Sequence, residues 1–425
     1  MASSSPASPP DQPDAAPSRS LPALQMSATF GAFHAYPLFR RLWIASFGYT
    51  LSQWMQNIAL GWLAYEITDS ERFVGLIAFA AGCPFIVVSI PGGALLDRYD
   101  RRTVLLISQA LAAFVAIGMA TIVLSGVVEP WHLLVGAFLN GSLQAIITPS
   151  QQSIVPRLVS REDLQNALGL MSAGGNLTRV FGPAMAGVII STLGTGYPFL
   201  LQAIAVSISF LVILLSPFPR VPPATNRLGL RVISEGSRII LGRPDLRELF
   251  LLSAFPSLLI FPYLSFLNVY AEDILDIGSR GLGLLLASSG VGAVVGGLLI
   301  ASRASSSGMG RQLYRLTFLY CAVMVVFAAV PNLLVVLPML AIAGFVGSYA
   351  FAGNNALVQG RIDDEVRGRV MGTYLLTWGL MPVGSLWMGE VAELFDVRVA
   401  TLSGASICLI ATLLLRLKSQ ELHSI

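Results

Sequence analysis

Residues 93–127 read GALLDRYDRRTVLLISQALAAFVAIGMATIVLSGV, and this stretch decides the fold. An arginine-rich segment passes directly into a run from Thr103 to Val127 that contains no charged residue. A helix of about 20 apolar residues spans the roughly 30 Å hydrocarbon core of a bilayer. The stretch therefore predicts a transmembrane helix with a basic loop at its N-terminal end.

The composition extends this prediction to the whole chain. Hydrophobic residues make up 55%, charged residues only 12%, and the mean hydropathy is +0.73, whereas soluble domains carry about 25% charged residues. We predict an all-α, polytopic membrane protein with twelve transmembrane helices. The predicted spans are Leu42–Tyr65, Phe73–Leu96, Thr103–Val127, Trp131–Pro149, Ala167–Leu193, Tyr197–Leu215, Leu249–Tyr270, Leu282–Ser302, Leu313–Val330, Leu333–Asn354, Val370–Val391 and Val399–Leu417.

The basic residues predict the orientation, because cytoplasmic loops are enriched in Arg and Lys. Of the 26 basic residues, 22 fall on one side of the membrane when the spans alternate. Arg72, Arg280 and Arg398 fall on the other side, and Arg179 lies within a span. We therefore expect both termini to be cytoplasmic.

The chain divides into two similar halves. We predict a disordered N-terminal tail (1–36), a six-helix bundle (37–216), a central loop (217–248), a second six-helix bundle (249–417) and a short C-terminal tail (418–425). Leu177-Thr178 with Pro183 recurs as Leu376-Thr377 with Pro382. This repeat predicts pseudo-symmetric bundles.

Several classes of protein are excluded by what the sequence lacks. The only lysine is Lys418, so the chain has no P-loop lysine to drive transport by nucleotide hydrolysis. Three cysteines lie far apart inside apolar runs, and three histidines form no metal or catalytic grouping. We expect no enzyme activity, no cofactor, no metal and no nucleic-acid partner.

The motif at residues 93–102, GALLDRYDRR, carries the most specific signal. A carboxylate at a helix boundary beside an arginine-rich turn can dock on a helix N-terminus or pair with an arginine. Such a contact can hold one conformation of a two-part protein closed. The simpler interpretation is a positively charged anchor at the cytoplasmic face.

The motif resembles the signature loop of the major facilitator superfamily, with Asp100 where many members have glycine. Four further segments resemble the branch of enterobactin-exporter-like proteins, also called transmembrane secretion effectors. They are QWMQNIALGWLAYEITDS (53–70), QSIVPRLVSREDLQNALGL (152–170), NLTRVFGPAMAG (176–187) and RGRVMGTYLLTWGLMPVGS (367–385). Members of this branch include siderophore and macrolide exporters of bacteria, so the resemblance implies a protein of the inner (plasma) membrane of a bacterium.

The resemblance implies roles for particular residues. A gating function is implied for Gly93, Asp97, Arg98, Arg101 and Arg102, with Asp97 facing Gly368 and Arg369 at the start of span eleven. Gly182, Pro183 and Gly187 partly match an antiporter motif found mainly in exporters. Their alternative interpretation is close helix packing through small residues.

Three charged residues are candidates for energy coupling. Arg179 lies deep in span five, where a charge is costly and needs a partner or a wet cavity. It either lines the transport cavity or couples to a proton, or it pairs structurally with polar groups of spans one and four. Glu66 and Glu390, near the outer ends of spans one and eleven, are either protonatable carboxylates or caps at the outer rim.

The remaining candidates are polar residues on the spans that surround the central cavity in this superfamily: Gln53, Gln56, Asn57, Asn140, Gln144, Asn268, Asn354 and Asn355. Aromatic residues Trp54, Trp62, Tyr263, Tyr349, Trp378 and Trp387 suit a bulky amphipathic solute or simple packing.

Taken together, the sequence predicts a monomeric secondary transporter in the lipid bilayer. The expected function is proton-coupled efflux of a hydrophobic or amphipathic small molecule, such as a siderophore or a macrolide-like drug, by rocker-switch alternating access. The alternatives are a small-solute importer of the same fold and a non-transporting membrane sensor or assembly protein.

Overall fold

The computed structural model describes residues 30–88, 95, 98–219, 230–302 and 308–418. The first half contains α1 (Gly31–Ala35), α2 (Pro37–Thr68), α3 (Glu71–Gly82), α4 (Pro84–Val87), α5 (Arg101–Leu124), α6 (Pro130–Ile154), α7 (Leu164–Leu193) and α8 (Gly196–Leu215). After α9 (Leu230–Gly242), the second half contains α10 (Pro244–Leu259), α11 (Leu267–Val269), α12 (Gly278–Ala301), α13 (Met309–Ala329), α14 (Leu333–Gly360), α15 (Asp364–Leu375), α16 (Leu380–Leu394) and α17 (Val397–Lys418).

Eight helical stretches of the described residues are individually long and apolar enough to cross a membrane. They are Arg101–Leu124, Pro130–Arg157, Gly196–Leu215, Pro244–Ile274, Gly278–Ile300, Met309–Ala329, Leu333–Gly360 and Val397–Lys418. The other four predicted spans overlap α2, α3 with α4, α7, and α15 with α16. These are either richer in polar residues or divided into shorter helices. Residues 89–94 and 96 of the second predicted span lie outside the described residues. The all-helical fold class is confirmed.

Within each half, the helices pack against one another. In the first half, α8 contacts α2 and α5, and α2 contacts α7. In the second half, α14 contacts α12 and α13, and α13 contacts α17. Among the described residues, the most extensive contacts between the halves are those of α3 with α16 and of α7 with α12, and the seventh span also contacts α2 and α3.

Glycines allow these two crossings to be close. A Cβ atom at Gly75 would lie 2.5 Å from the backbone oxygen of Ser385 and 3.1 Å from the Cα atom of Gly389. A Cβ atom at Gly187 would lie 2.6 Å from the Cα atom of Gly283. Because real Cβ atoms do not approach backbone this closely, both crossings depend on the absence of a side chain.

The seventh span is irregular and starts earlier than the sequence suggested. It begins at Pro244 rather than Leu249, so that the predicted central loop (217–248) includes the first turn of α10. After α10 the chain passes through a 3₁₀ segment, Phe261–Phe266, and a π-helical turn, Tyr270–Ile274. Pro262 contributes to this break because it has no N–H for the helical hydrogen-bond ladder.

The two ends of the molecule differ in charge. One end, which we call the acidic end, contains the chain around Glu66–Arg72, Asp273 and Glu390–Glu393, joined by polar contacts. The opposite end, called the arginine-rich end, contains residues 98–102, 157–161 and 361–369. At this end Arg102 donates to the backbone oxygen of Ser216 (3.0 Å), which ties α5 to the end of α8.

Candidate functional site: a cavity between the two halves

A cavity of about 800 Å³ lies between the two halves. The first half contributes residues from α2, α3, α4, α6 and α7, and the second half contributes residues from the seventh span, α12, α15 and α16. The lining extends to Gly368 and Gly372 on α15, near the arginine-rich end. This volume is in the usual range for a small-molecule binding site.

A cluster of amides lies beside the cavity. Gln53 exchanges hydrogen bonds with Asn140 (2.9 and 3.1 Å) and donates to the hydroxyl of Tyr49 (2.7 Å). Asn140 also donates to Gln56 (2.9 Å), and Gln202 donates to Gln53 (2.8 Å). Because these amides satisfy one another, the cluster ties α2, α6 and α8 together inside the first half.

Other predicted polar residues lie on the cavity wall itself. Gln56, Asn57, Asn140, Gln144 and Asn268 line the cavity. Asn57 is exposed there, and Asn268 donates a hydrogen bond across the halves to the backbone oxygen of Gly61 (2.8 Å). The aromatic lining consists of Trp54, Phe85, Phe261 and Trp378.

Arg179 contributes a positive charge to the wall of the cavity. It lies on α7, one turn before Pro183, which also lines the cavity. Its guanidinium interacts electrostatically with Tyr263 and Tyr320 of the second half. Gln53, Gln56 and Asn140, which are among the polar groups of spans one and four, bond to one another. Both interpretations of Arg179 from the sequence stay predictions.

Polar contacts close the acidic end. Arg72 forms an ion pair with Glu390 (2.9 Å), and its backbone N–H donates to Glu393 (3.1 Å). Ser70 also donates to Glu393 (2.8 Å). These donors, the Arg72 N–H first and the Ser70 hydroxyl second, hold the pKa of Glu393 below its usual value. All of these contacts join α3 or its N-terminal turn to the end of α16.

Two further contacts extend this closure around the acidic end. The hydroxyl of Tyr65 donates to Asp273, and Arg280 donates to the hydroxyl of Ser191 (3.1 Å). Partial burial raises the pKa of Glu71, and the neighbouring carboxylates, Glu393 before Asp273, raise it further.

The gating motif is described only in part. Gly93 and Asp97 lie outside the described residues. Arg98 is exposed, with its guanidinium 5.9 Å from the ring centre of Tyr99, and Arg101 is half-buried at the start of α5. Asp100 caps α5 by accepting from the backbone N–H of Thr103 (3.1 Å), which explains an acidic residue at this position of the motif.

The other side of the expected latch is described. Gly368 lines the cavity, and nothing lies within 4 Å of a Cβ atom placed there. Arg369 forms an ion pair with Glu235 on α9 (3.0 Å). A Cβ atom at Gly236 would lie 2.2 Å from the backbone oxygen of Arg369, so α9 packs tightly on α15. The central segment is therefore attached to the helix that begins span eleven.

The residues of the antiporter-like motif pack closely against other helices. A Cβ atom at Gly182 would lie 2.6 Å from the Cβ atom of Trp54 on α2. Gly187 forms the close crossing with Gly283, and Pro183 lines the cavity. The motif thus brings α7 against both its own half and the other half.

Besides Gln53 of the amide cluster, the predicted polar residues Glu66, Asn354 and Asn355 are not among those that line the cavity. Glu66 is exposed at the acidic end, where it accepts a hydrogen bond from Thr195 (3.0 Å). Asn354 is buried and donates to the backbone oxygen of Leu249 (2.9 Å). Asn355 accepts a hydrogen bond from Gln359 on the same helix. Neither asparagine is among the residues that line the 800 Å³ cavity.

Gln202 and Glu248 are among the buried polar residues that sequence reasoning missed. Gln202, only 3% exposed, completes the amide cluster from α8. Glu248 is 1% exposed within α10 and accepts a hydrogen bond from Tyr314. Glu248 was assigned to the central loop, so its burial was not anticipated. Pro244, four residues before Glu248, was the available signal, because proline often occupies the first position of a helix.

Two helical halves that surround a central cavity, closed at one end by contacts between them, define a transporter of the major facilitator type. The profile of the transmembrane secretion effector family matches residues 27–424. The chain belongs to this family of transporters.

Curated relatives agree with this assignment. The chain is 26% identical to the staphyloferrin A transporter of Staphylococcus aureus over 371 residues, which cover 86% of this chain and 92% of that protein. It is 24% identical to the enterobactin exporter of Shigella boydii over 390 residues, which cover 89% and 91% of the two chains.

Solved structures share the fold. A peptide-transporter (POT) family structure in complex with a thioalcohol-conjugated peptide has a TM-score of 0.73 at 13% identity, and the match covers 90% of this chain and 96% of that one. A bacterial homologue of the human lysosomal transporter Spinster, inward-facing and occupied, has a TM-score of 0.68 at 16% identity and covers 88% and 95%.

Proposed function

We propose that this transporter exports an amphipathic small molecule by rocker-switch alternating access. The observation that carries the proposal is a cavity of about 800 Å³ formed by both halves and closed by polar contacts at the acidic end. Alternating access requires such a closure to move from one end of the cavity to the other.

The proposed orientation places both termini and the arginine-rich end in the cytoplasm. It is supported by the distribution of the 26 basic residues along the sequence. In that orientation the acidic end faces outward, and the cavity reaches toward the cytoplasm at Gly368 and Gly372. The conformation described here then corresponds to an inward-facing state, ready to take a solute from the cell.

The proposed direction and substrate rest on the relatives and on the cavity wall. One relative is named an enterobactin exporter and another a staphyloferrin A transporter. The wall combines Trp54, Phe261 and Trp378 with neutral amides. Aromatic and amide groups together suit a solute with both apolar and polar parts, such as a siderophore or a macrolide-like drug.

We propose that the proton gradient drives export, since the sequence has no P-loop lysine. Glu66 is a proposed proton-carrying group because it is an exposed carboxylate at the acidic end, where it accepts a hydrogen bond from Thr195. If this role is right, Glu66→Gln abolishes the dependence of transport on the pH gradient. Glu272→Gln, which changes another exposed carboxylate at the same end, provides the control.

Transport in everted membrane vesicles tests the direction. Vesicles containing the protein, acidified inside, are given a radiolabelled catecholate siderophore, a carboxylate siderophore or a macrolide. We expect accumulation of at least one compound that is abolished when the pH gradient is collapsed. Accumulation only in right-side-out vesicles would instead identify an importer, and no transport of any compound would favour a non-transporting protein.

The gating proposal has its own test. Asp97→Asn removes the carboxylate of the proposed latch while keeping its size. We expect the transport rate to fall by about tenfold, the effect of losing one charge-assisted contact worth about 1.4 kcal/mol, with no change in thermal stability. Asp100→Asn is the matched control, since asparagine also caps helices well. An unchanged rate in the Asp97 variant would contradict the latch.

A further inference from the structure

The described residues of the cavity wall carry charge of one sign only. Arg179 is the only ionisable side chain of Asp, Glu, Lys, Arg or His type among the described residues that line the cavity. The remaining polar groups of that wall are neutral amides and hydroxyls, including Asn57, Gln144 and Ser289. The wall that the structure describes therefore carries a net positive charge.

The guanidinium of Arg179 has no counter-ion within the described part of the chain. No ion pair or hydrogen bond joins it to another described residue, although a guanidinium has five N–H donors. Its neighbours Tyr263 and Tyr320 are phenols, which are uncharged near neutral pH. The hydroxyl of Tyr263 is also 3.3 Å from the hydroxyl of Ser289.

The nearby amides do not take the place of a counter-ion. Gln53, Gln56 and Asn140 direct their polar atoms to one another, and Gln202 joins them. Arg179 is therefore a cation at the wall of a cavity large enough for a solute, without a hydrogen bond to another described residue. A charge at membrane depth is expensive without a partner or water, so the arrangement favours a partner that arrives with the substrate.

We propose that Arg179 binds an anionic group of the transported solute, which makes the substrate class an organic acid with an aromatic or apolar body. The planar guanidinium matches a carboxylate with two parallel hydrogen bonds. Trp54, Phe261 and Trp378 then contact the apolar body. This inference deepens the proposed transport function, because it rests on the same cavity and names the chemistry that the cavity selects.

Because Arg179 and Tyr263 belong to different halves, an anion beside Arg179 also lies where the halves meet. Neutralising the cation there lowers the cost of enclosing the site when the two halves close around it. The anionic group thus serves recognition and closure at the same position.

Binding of three naphthalene probes of similar size tests the assignment. They are radiolabelled 2-naphthoate, the neutral 2-naphthamide and the cationic 2-naphthylmethylammonium. Equilibrium dialysis against the full-length protein in nanodiscs, corrected with empty nanodiscs, measures each Kd. We expect the wild-type protein to bind naphthoate about 10- to 100-fold more tightly than naphthamide, the effect of one charged hydrogen-bonded contact, and the cation most weakly.

Variants assign the preference to Arg179. In Arg179→Gln, naphthoate binding should fall to the level of naphthamide, while naphthamide binding stays within about twofold. Arg179→Lys keeps the charge and should retain a reduced preference for the anion. Arg161→Gln, which removes an exposed arginine at the arginine-rich end, is the matched control and should bind as the wild type does.

Three results would overturn the inference. They are equal wild-type affinities for naphthoate and naphthamide, tighter binding of the cation, and a loss of both ligands together in Arg179→Gln. The first two need only the wild-type protein, so they remain decisive if a variant does not fold. Wild-type protein that prefers naphthoate but transports nothing in vesicles would refute the transport proposal while leaving the anion site in place.

Discussion

At the scale of single residues, the amide of Gln53 connects three helices of the first half. It bonds to Tyr49 on its own helix, to Asn140 on α6 and to Gln202 on α8. Gln53 is 1% exposed, so water cannot replace these partners. Burying an amide without hydrogen-bond partners costs free energy. The hydrogen bonds that these amides make to one another therefore stabilise the cluster.

Gln53→Leu is expected to lower the free energy of unfolding by about 1–3 kcal/mol, because the polar groups of Asn140 and Gln202 lose their partner. Thermal unfolding in nanodiscs measures the change. Asn57→Leu on the same helix is the control, and its exposed position predicts a change within about 0.5 kcal/mol. Equal effects of the two substitutions would show that Gln53 contributes no more than any polar residue of α2.

Single residues also show what local sequence could predict at the site. Gln53, Gln56 and Asn140 stood out because polar residues inside apolar spans are costly and therefore usually have a role. Gln202 and Glu248 did not stand out. Their significance depends on partners 149 and 66 residues away in the chain, and no local pattern reports such distant contacts.

At the scale of helices, the crossing of α3 and α16 depends on glycine at both sides of the contact. Gly75→Ala places a methyl group 2.5 Å from the backbone oxygen of Ser385, so one helix must shift. Overpacking of this kind typically costs about 1–3 kcal/mol. Since only the closed acidic end has this contact, the substitution should favour conformations in which that end is open.

The distance between spin labels at positions 125 and 331 measures this shift. Both positions are exposed loop residues, one in each half, and the three native cysteines are replaced by alanine. We expect Gly75→Ala to increase the population with a longer distance. Gly118→Ala on α5 is the control, since nothing lies within 4 Å of a Cβ atom there. Identical distance distributions in Gly75→Ala and Gly118→Ala would contradict the proposal that the crossing of α3 and α16 helps to keep the acidic end closed.

The helices themselves were largely predictable from hydropathy, but their lengths and interruptions were not. The predicted span Leu333–Asn354 lies within the longer helix Leu333–Gly360, because hydropathy marks the hydrocarbon-spanning part and not the full helix. The break of the seventh span at Phe261 was missed. Packing against neighbouring helices satisfies irregular backbone there, and such packing leaves no periodic trace in the sequence.

At the scale of the whole molecule, Glu393 contributes to the balance between conformations. It accepts from Ser70 and from the backbone of Arg72, which lie on the other half. Glu393→Ala should favour the open acidic end by about fivefold, since an exposed polar contact is worth up to about 1 kcal/mol. The same pair of spin labels reports the change, and Glu272→Ala, which changes an exposed neighbour, should leave the populations unchanged.

The same closure should depend on pH in two opposite steps. Glu71 has a raised pKa, so acidification protonates it first and removes its repulsion with Glu393, which tightens the closure. Glu393 has a lowered pKa, so its contribution is complete above the usual glutamate pKa and is lost as the pH falls through its own lower value. A label distance that changes in only one direction between pH 7 and pH 3 would contradict this assignment.

Composition and charge alone establish that this chain is helical, crosses a membrane many times and has its arginines gathered at one end. These properties follow from the free-energy cost of placing charges and unpaired backbone groups in hydrocarbon. That cost shapes the composition of each segment separately, so it can be recognised from local sequence. The tertiary structure alone decides that Arg179 lines a cavity with no counter-ion among the described residues, and that Gly75 and Glu393 join the halves at the acidic end. Those features depend on which helices meet, and helix pairing is set by side-chain fit between segments far apart in the chain.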